Sequence, residues 1–163
     1  MATINGKALV KDGKPLDRVY SNGQLVYGRN LLVGIDKAVH QTPNWNQLVA
    51  NIPAKFIKLG QPLCFSAFIN NAPYAGSTIR GYAVCAIQAK DSSGNVLLQK
   101  DGNKIDFNAD GVSQASIIVP DKTDSILLFV RTGNMLMNAY YGYPKAEFGS
   151  IATPWTPAPE DYI

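Results

Sequence analysis

Aromatic rings and side-chain amides are the groups of this chain whose types and number suggest a shared chemistry. The 163 residues include 2 Trp, 8 Tyr and 6 Phe, together with 13 Asn and 7 Gln. Flat rings stack on the C–H face of a pyranose, and amides exchange hydrogen bonds with sugar hydroxyls. Because only 17% of the residues are charged, this combination predicts the binding of an uncharged sugar polymer.

Seven side chains are the candidates for such a surface. Trp45 stands in a polar segment next to Asn44, and Tyr74 lies in a segment rich in turn residues and amides. The other five come from two runs near residues 80–89 and 138–148. For Trp45 and Tyr82 the alternative is that the side chain packs against the protein itself. The predicted carbohydrate contacts are Trp45, Tyr74, Arg80, Tyr82, Gln88, Tyr140 and Tyr141. Strand alternation would send Tyr141 and Tyr143 to one face and Tyr140 to the other.

Catalytic patterns are missing from the sequence. The only histidine, His40, lies in a polar stretch, and no Gly-x-Ser-x-Gly elbow accompanies it; a nucleophile needs an activating base beside it. Glycoside hydrolysis needs two carboxyl groups across a cleft, yet Glu147 and Glu160 both lie close to the C-terminus and most aspartates occupy predicted turns. We therefore expect a protein that is not an enzyme.

Residues 106–111 match the first half of a calcium-binding loop. Asp106, Asn108 and Asp110 supply alternating oxygen ligands, and a glycine follows them, as the sharp turn of such a loop requires. The match ends at position twelve, where Ile117 stands in place of the bidentate Glu. We expect a polar loop and no cofactor, with calcium as the alternative.

The net charge of +3 lies at the N-terminal end of the chain. Residues 1–30 hold five basic and two acidic residues, whereas residues 31–163 hold ten of each. A neutral body does not fit the polyanionic surface of nucleic acid. The chain has no apolar run long enough to span a bilayer, and its first residues lack the apolar run of a secretory signal, so we expect no signal peptide. We therefore expect a protein that is made in a cytoplasm and binds neither nucleic acid nor membrane.

Turn residues recur between short apolar runs along the chain. Asn22 and Gly23 separate two alternating runs, and this dipeptide favours the type I′ turn of a two-residue β-hairpin. The stretch 45–56 shows no clear alternation and is interrupted by Pro53, so a short helical turn is one alternative there. Strands with turns between them and no alternating helices predict an all-β protein, an antiparallel sandwich or barrel. The predicted strands are at 62–69, 81–89, 96–98, 112–119, 125–131 and 138–148.

Two segments resemble a known family. The run Tyr143-Pro-Lys-Ala-Glu-Phe-Gly-Ser-Ile-Ala-Thr-Pro-Trp-Thr-Pro-Ala-Pro-Glu-Asp161 resembles the closing signature of carbohydrate-binding-module-like jelly rolls in tail and baseplate proteins of phages that infect Gram-positive bacteria. The run Asp17-Arg-Val-Tyr-Ser-Asn-Gly-Gln-Leu-Val-Tyr-Gly-Arg-Asn-Leu-Leu32 resembles the hairpin that commonly precedes such modules. The sequence departs from the closing signature at Ala146, where the family has leucine.

The resemblance implies a jelly-roll β-sandwich at residues 29–163, preceded by a β-hairpin adaptor or linker at residues 1–28. It implies a receptor-binding protein of the virion, which attaches the phage tail to host cell-wall polysaccharide and sits among other tail or baseplate proteins. It also implies structural roles for Glu147 and for Trp155, which lies in a tail that straps the sandwich. The alternative is a structural assembly protein whose aromatic surface contacts other tail subunits, and formation of a homo-oligomer stays open.

Overall fold

The computed structural model describes residues 2–5, 8–12, 14–42, 44–71, 81–134 and 139–162. Within these residues the chain forms fourteen strands and two short 3₁₀ turns, the latter at Ala54–Phe56 and Pro159–Tyr162. The first five strands are β1 (Ala2–Asn5), β2 (Ala8–Lys11), β3 (Lys14–Pro15), β4 (Arg18–Ser21) and β5 (Gln24–Gly28). The others are β6 (His40–Gln41), β7 (Asn46–Asn51), β8 (Pro62–Asn70), β9 (Tyr82–Lys90), β10 (Val96–Asp101), β11 (Ile105–Asp106), β12 (Asp110–Ile118), β13 (Ser125–Gly133) and β14 (Tyr140–Phe148).

Two antiparallel sheets pack face to face to form a sandwich. The front sheet has the strand order β10-β9-β13-β7, with β11 also paired to β9, and the back sheet has the order β12-β8-β14-β6. Alternate residues of each strand point into the space between the sheets. The core there is apolar and includes Phe65, Ile69, Cys85, Ile87, Leu128 and Val130, all fully buried. The prediction of an all-β antiparallel sandwich is confirmed.

The first strands of the chain form smaller sheets beside the sandwich. Strands β1, β2 and β3 form one sheet, and β4 and β5 form a two-stranded ribbon. The turn of this ribbon places Asn22 and Gly23 at φ values of 48° and 76°, the left-handed region that a type I′ turn requires. Ser21 pairs with Gln24 across that turn. The hairpin predicted from the Asn-Gly dipeptide is therefore confirmed.

Strand β7 lies in the stretch 45–56, where the sequence showed no alternation. Its register with β13 shifts, since Leu128 pairs with Ala50 whereas Phe129 pairs with Leu48. The shift leaves Val49 as an extra residue, a β-bulge that interrupts the period of two. The predicted strand set therefore missed β7, and the only helical turn in this stretch is the 3₁₀ turn after Pro53.

A buried ion pair joins the C-terminal tail to the outer side of the back sheet. The Lys145 ammonium lies 2.9 Å from Glu147 Oε2, and both side chains are only 1% exposed. Lys145 also donates to Thr153 Oγ1 and to the Pro154 carbonyl oxygen, each at 2.7 Å. Thr153 donates two hydrogen bonds to Glu147, from its backbone N–H at 2.8 Å and from its hydroxyl at 2.9 Å. Burial lowers the pKa of Lys145, and Glu147 opposes that change.

The β4–β5 hairpin is tied to the same cluster. The Gly28 N–H donates to Thr153 Oγ1 at 3.0 Å. A Cβ on Gly28 would lie 2.7 Å from the Glu147 carboxyl carbon, so only glycine fits at this contact. The division into an adaptor at 1–28 and a module at 29–163 stays a prediction, but the end of the hairpin contacts the sandwich directly.

Arg29 and Asn30, the two residues after the hairpin, contact the C-terminal tail at Glu160 and Thr156. Asn30 is fully buried, and its amide nitrogen donates to the Thr156 carbonyl at 2.9 Å. Its amide oxygen accepts from the backbone N–H groups of Leu32 and Ala146. Arg29 pairs with Glu160 and with Asp17. The two segments that carry the family resemblance are therefore contact partners.

Replacing Glu147 by Gln should destabilise the protein strongly. The change leaves the Lys145 ammonium buried without its counter-charge, and breaking such a pair costs about 3–5 kcal/mol. Urea unfolding of Glu147→Gln against the wild type measures this loss.

The double variant Lys145→Met, Glu147→Gln is the control for that measurement. It removes the buried charge and keeps an acceptor for the Thr153 N–H. It should recover most of the lost free energy of unfolding, because two neutral groups need no mutual compensation. Equal destabilisation of the single and the double variant would contradict the assignment of the effect to charge.

Candidate functional site

The outer face of the front sheet carries a row of polar and aromatic side chains over an apolar floor. The odd-numbered residues of β9 enter the core, so Tyr82, Val84, Ala86 and Gln88 point outward. Val84 and Ala86 are each 1% exposed, so other side chains cover them. Phe129, which pairs with Ala86, extends this floor. We call this surface the front face.

Trp45 lies at the edge of the front face, directly before β7. Its side chain is 60% exposed, and its carbonyl oxygen accepts the Thr132 N–H at 2.8 Å, which fixes its backbone to β13. The Arg131 guanidinium lies 5.6 Å from the centre of the Trp45 ring. Arg131 also donates to Asp101 at 2.9 Å, so an ion pair that crosses β9 orients the cation beside the ring.

Tyr82 lies at the end of the front face where β9 begins. The Lys104 ammonium lies 4.0 Å from the centre of its ring. A Cβ on Gly133 would lie 2.5 Å from this ring, so the glycine leaves room for Tyr82 to lie across β13. Asp106 pairs with Tyr82 on the other side. The ring is therefore held between a close backbone and a cation.

Gln88 lies at the opposite end of the outward row of β9. Its amide nitrogen donates to Gln99 Oε1 on β10 at 2.9 Å. Both amides retain donors and acceptors beyond this bond. The structure thus brings Trp45, Tyr82 and Gln88, three of the predicted contacts, onto one face.

The two predicted tyrosines of β14 lie on the other sheet. Tyr140 pairs with Asn70 of β8, and both are partly buried. Tyr141 is 7% exposed and belongs to the core, with its ring 5.6 Å from that of His40; burial raises the pKa of its hydroxyl. Neither joins Trp45, and their role in sugar binding stays a prediction. Tyr74 and Arg80 lie outside the described residues.

The predicted alternation along β14 fails at a bulge. Its pairing with β8 shifts between Gly142 and Lys145, and Tyr143 adopts a φ of 54°. Tyr143 is consequently 44% exposed while Tyr141 is in the core. The expectation that these two side chains share one face is wrong, because a left-handed residue breaks the period of two.

Three residues of the front face were missed at the sequence level. Asp101 lies beyond the predicted strand at 96–98, whereas it ends β10 and pairs with Ala86. Arg131 was only the end of a predicted strand, and Gln99 was not singled out. A cation directly after the apolar run Leu127–Val130 was the available signal, since a charged side chain must face outward from a buried strand.

The Asp106–Asp110 segment forms a tight connection between β11 and β12. The Ala109 N–H donates to the Asp106 carbonyl at 3.0 Å, and the Asn108 N–H donates to the Asn71 carbonyl at 3.0 Å. Within the described ranges no group of three His, Cys, Asp or Glu side chains is arranged to hold a metal ion. Calcium binding by Asp106, Asn108 and Asp110 stays the untested alternative to a polar loop.

Membrane insertion has no helical candidate in the part of the chain that the structure describes. No helix there is long and apolar enough to cross a bilayer.

Comparison with known proteins finds similarity at the level of structure. No family model and no curated protein matches the chain. The C-terminal family 22 carbohydrate binding module of Clostridium thermocellum Xyn10B aligns with a TM-score of 0.50 and 14% identity, over 63% of this chain and 65% of that one. The CBM22-1 xylan-binding domain of Paenibacillus barcinonensis Xyn10C gives 0.48 and 13%, over 69% and 70%. Tailspike protein 4 of bacteriophage CBA120 gives 0.46 and 12%, over 68% of this chain and 15% of that one.

At such low identity the likeness concerns the fold alone. A five-stranded and a four-stranded antiparallel sheet packed face to face form the two-sheet architecture of a jelly roll. The described sandwich therefore has the jelly-roll fold of carbohydrate-binding modules.

Proposed function

We propose that this protein is a non-catalytic carbohydrate-binding module whose binding surface is the front face. The observation that carries the proposal is the convergence of an exposed Trp45, the Arg131–Asp101 pair and the Gln88–Gln99 pair on one open sheet face. None of these groups is needed to fill the core between the sheets. A face of this composition is suited to a ligand.

The chemistry of the front face matches that of a sugar chain. The Trp45 ring offers a flat apolar platform for the C–H side of a pyranose. Arg131 supplies several donors in a fixed plane, Asp101 supplies acceptors, and the two glutamines supply both. Because the ion pair already orients Arg131 and Asp101, little side-chain entropy is lost when a ligand binds.

The length of the front face favours a polymer over a single sugar. Tyr82 and Gln88 are six residues apart on β9, which corresponds to about 20 Å along an extended strand. Several linked pyranose units fit along that distance. Because a row of this length can contact several linked sugar units at once, we propose that the ligand is a polysaccharide.

The proposed polysaccharide is that of a bacterial host cell wall, and the proposed location is a phage tail or baseplate. The support is the sequence resemblance of residues 17–32 and 143–161, which the structure describes as contact partners. A single shallow site binds weakly, and many copies on one virion would supply avidity. The basic N-terminal residues would then contact other tail proteins.

Replacing Trp45 by Ala should weaken binding to purified wall polysaccharide. Loss of one stacking platform costs about 1–3 kcal/mol, by analogy with the stacking of nucleic-acid bases on aromatic side chains, which is roughly fivefold to 150-fold in affinity. Affinity gel electrophoresis with immobilised polysaccharide measures the change.

Ile151→Ala is the matched control for Trp45→Ala. Ile151 is an exposed apolar residue, 65% accessible, on the tail rather than the front face. It should bind like the wild type. Undiminished binding by Trp45→Ala, or no retention of the wild type on wall polysaccharide, would contradict the proposed function.

Neutralising the adaptor should leave sugar binding intact. Lys11 and Lys14 are exposed and distant in sequence from the front-face residues, and Lys7 lies outside the described residues. The triple variant Lys7→Gln, Lys11→Gln, Lys14→Gln should keep its wild-type affinity for wall polysaccharide in the same gel assay. A loss of affinity would place the basic residues in the sugar site and refute the proposed division of roles.

A further inference from the structure

A second aromatic groove lies on the outer side of the back sheet. It encloses about 490 Å³ between the exposed edge of β12 and the C-terminal tail, within the range of small-ligand sites. Its walls include Phe68, Val112, Tyr143, Pro154 and Trp155. We call it the back groove.

Two rings of the back groove stand at right angles. Trp155 Nε1 donates to the Pro144 carbonyl oxygen at 3.1 Å, which fixes the indole within the tail. The Tyr143 ring meets it edge to face, with 6.1 Å between centroids and 81° between planes. The pair forms a rigid aromatic corner, with one flat platform and one side wall.

The backbone of Tyr143 is strained in a way that exposes its ring. Its φ of 54° is unfavourable for a bulky side chain, and glycine would adopt it freely. Strained residues persist where the surrounding structure or a function retains them. Here the strain turns a tyrosine out of the sheet and into the groove.

The back groove presents no net charge to a ligand. Lys145 is the charged residue among its lining residues, and its ammonium is 1% exposed and paired with Glu147. Phe68 also lines an adjoining hollow of about 320 Å³ with Val39 and Tyr140. An uncharged ligand that combines apolar faces with hydroxyls suits an aromatic groove of this kind.

We propose that the back groove is a second sugar-binding site, which takes a neutral pyranose unit against the Tyr143–Trp155 corner. The proposal rests on the carbohydrate-binding function proposed above and extends it to the opposite sheet. The module would then hold polysaccharide on two faces, so that one copy bridges two chains or two turns of the same chain.

The two tryptophans allow the two surfaces to be observed separately. Trp45 reports on the front face, and Trp155 reports on the back groove. In Trp45→Phe the only tryptophan is Trp155, and in Trp155→Phe it is Trp45. Each variant is titrated with xylohexaose, cellohexaose and chitohexaose, with fluorescence excited where tryptophan alone absorbs. We expect a saturable change in Trp155 emission with at least one of these sugars.

Tyr143→Gly separates binding from folding. Removing the side wall should weaken the Trp155-reported affinity about twofold to tenfold, the effect of one aromatic contact. The melting temperature should stay equal or rise, because glycine relieves the strained φ. Ile118→Ala is the matched control, since Ile118 is 59% exposed on the same strand and face as Val112 and should change neither quantity.

The outcomes distinguish the two proposals. A response of Trp45 without any response of Trp155 overturns the back groove and leaves the front face supported. A response of Trp155 alone supports the back groove and contradicts the front face, and silence of both contradicts both. A lower melting temperature of Tyr143→Gly with unchanged affinity, or a dimer in light scattering that dissociates in Tyr143→Gly, also overturns the back groove as a sugar site.

Discussion

The buried pair of Lys145 and Glu147 is the interaction on which the arrangement of the chain depends. A charge removed from water is tolerated only when it is paired and hydrogen-bonded. The hydrogen bonds come from Thr153 and Pro154 of the tail, and the hairpin reaches the same threonine. The back sheet therefore cannot bury these charges unless the tail lies across it. Sequence positions more than 100 residues apart are held in one cluster for this reason.

This cluster also explains why the two faces of the sandwich differ. The tail and the hairpin lie against the back sheet, where they cover the outward side chains of Lys145 and Glu147 and leave the back groove beside Trp155. Among the described residues, the outer side of the front sheet carries Trp45, the Arg131–Asp101 pair and the glutamine pair. Its exposed tryptophan and its cross-strand ion pair contribute little to stability at such exposure, so a packing role does not account for them.

The sequence predicted most of the fold because its signals are local. Strand-like runs of seven to nine residues between turn residues located β8, β9, β12 and β13, and the Asn-Gly dipeptide located the turn of the β4–β5 ribbon. Prediction from alternation failed at Val49 and at Tyr143. At each place a bulge adds one residue, so the period of two changes phase. The front face was predicted only in part. Trp45, Tyr82 and Gln88 were found by chemistry, whereas Arg131 and Asp101 meet through sheet register, which residue type alone does not reveal.

The positive charge of the chain bears on what the sandwich can bind. The excess lies within residues 1–30, and on the front face the Arg131 guanidinium is paired with the Asp101 carboxylate. At Arg131 a polyanion would gain little, since a phosphate contact would compete with the resident Asp101 carboxylate. A neutral polymer loses nothing to that competition, because sugar hydroxyls bond to donors and acceptors alike. The Arg131–Asp101 pair thus disfavours an acidic ligand at this part of the front face and permits a neutral one.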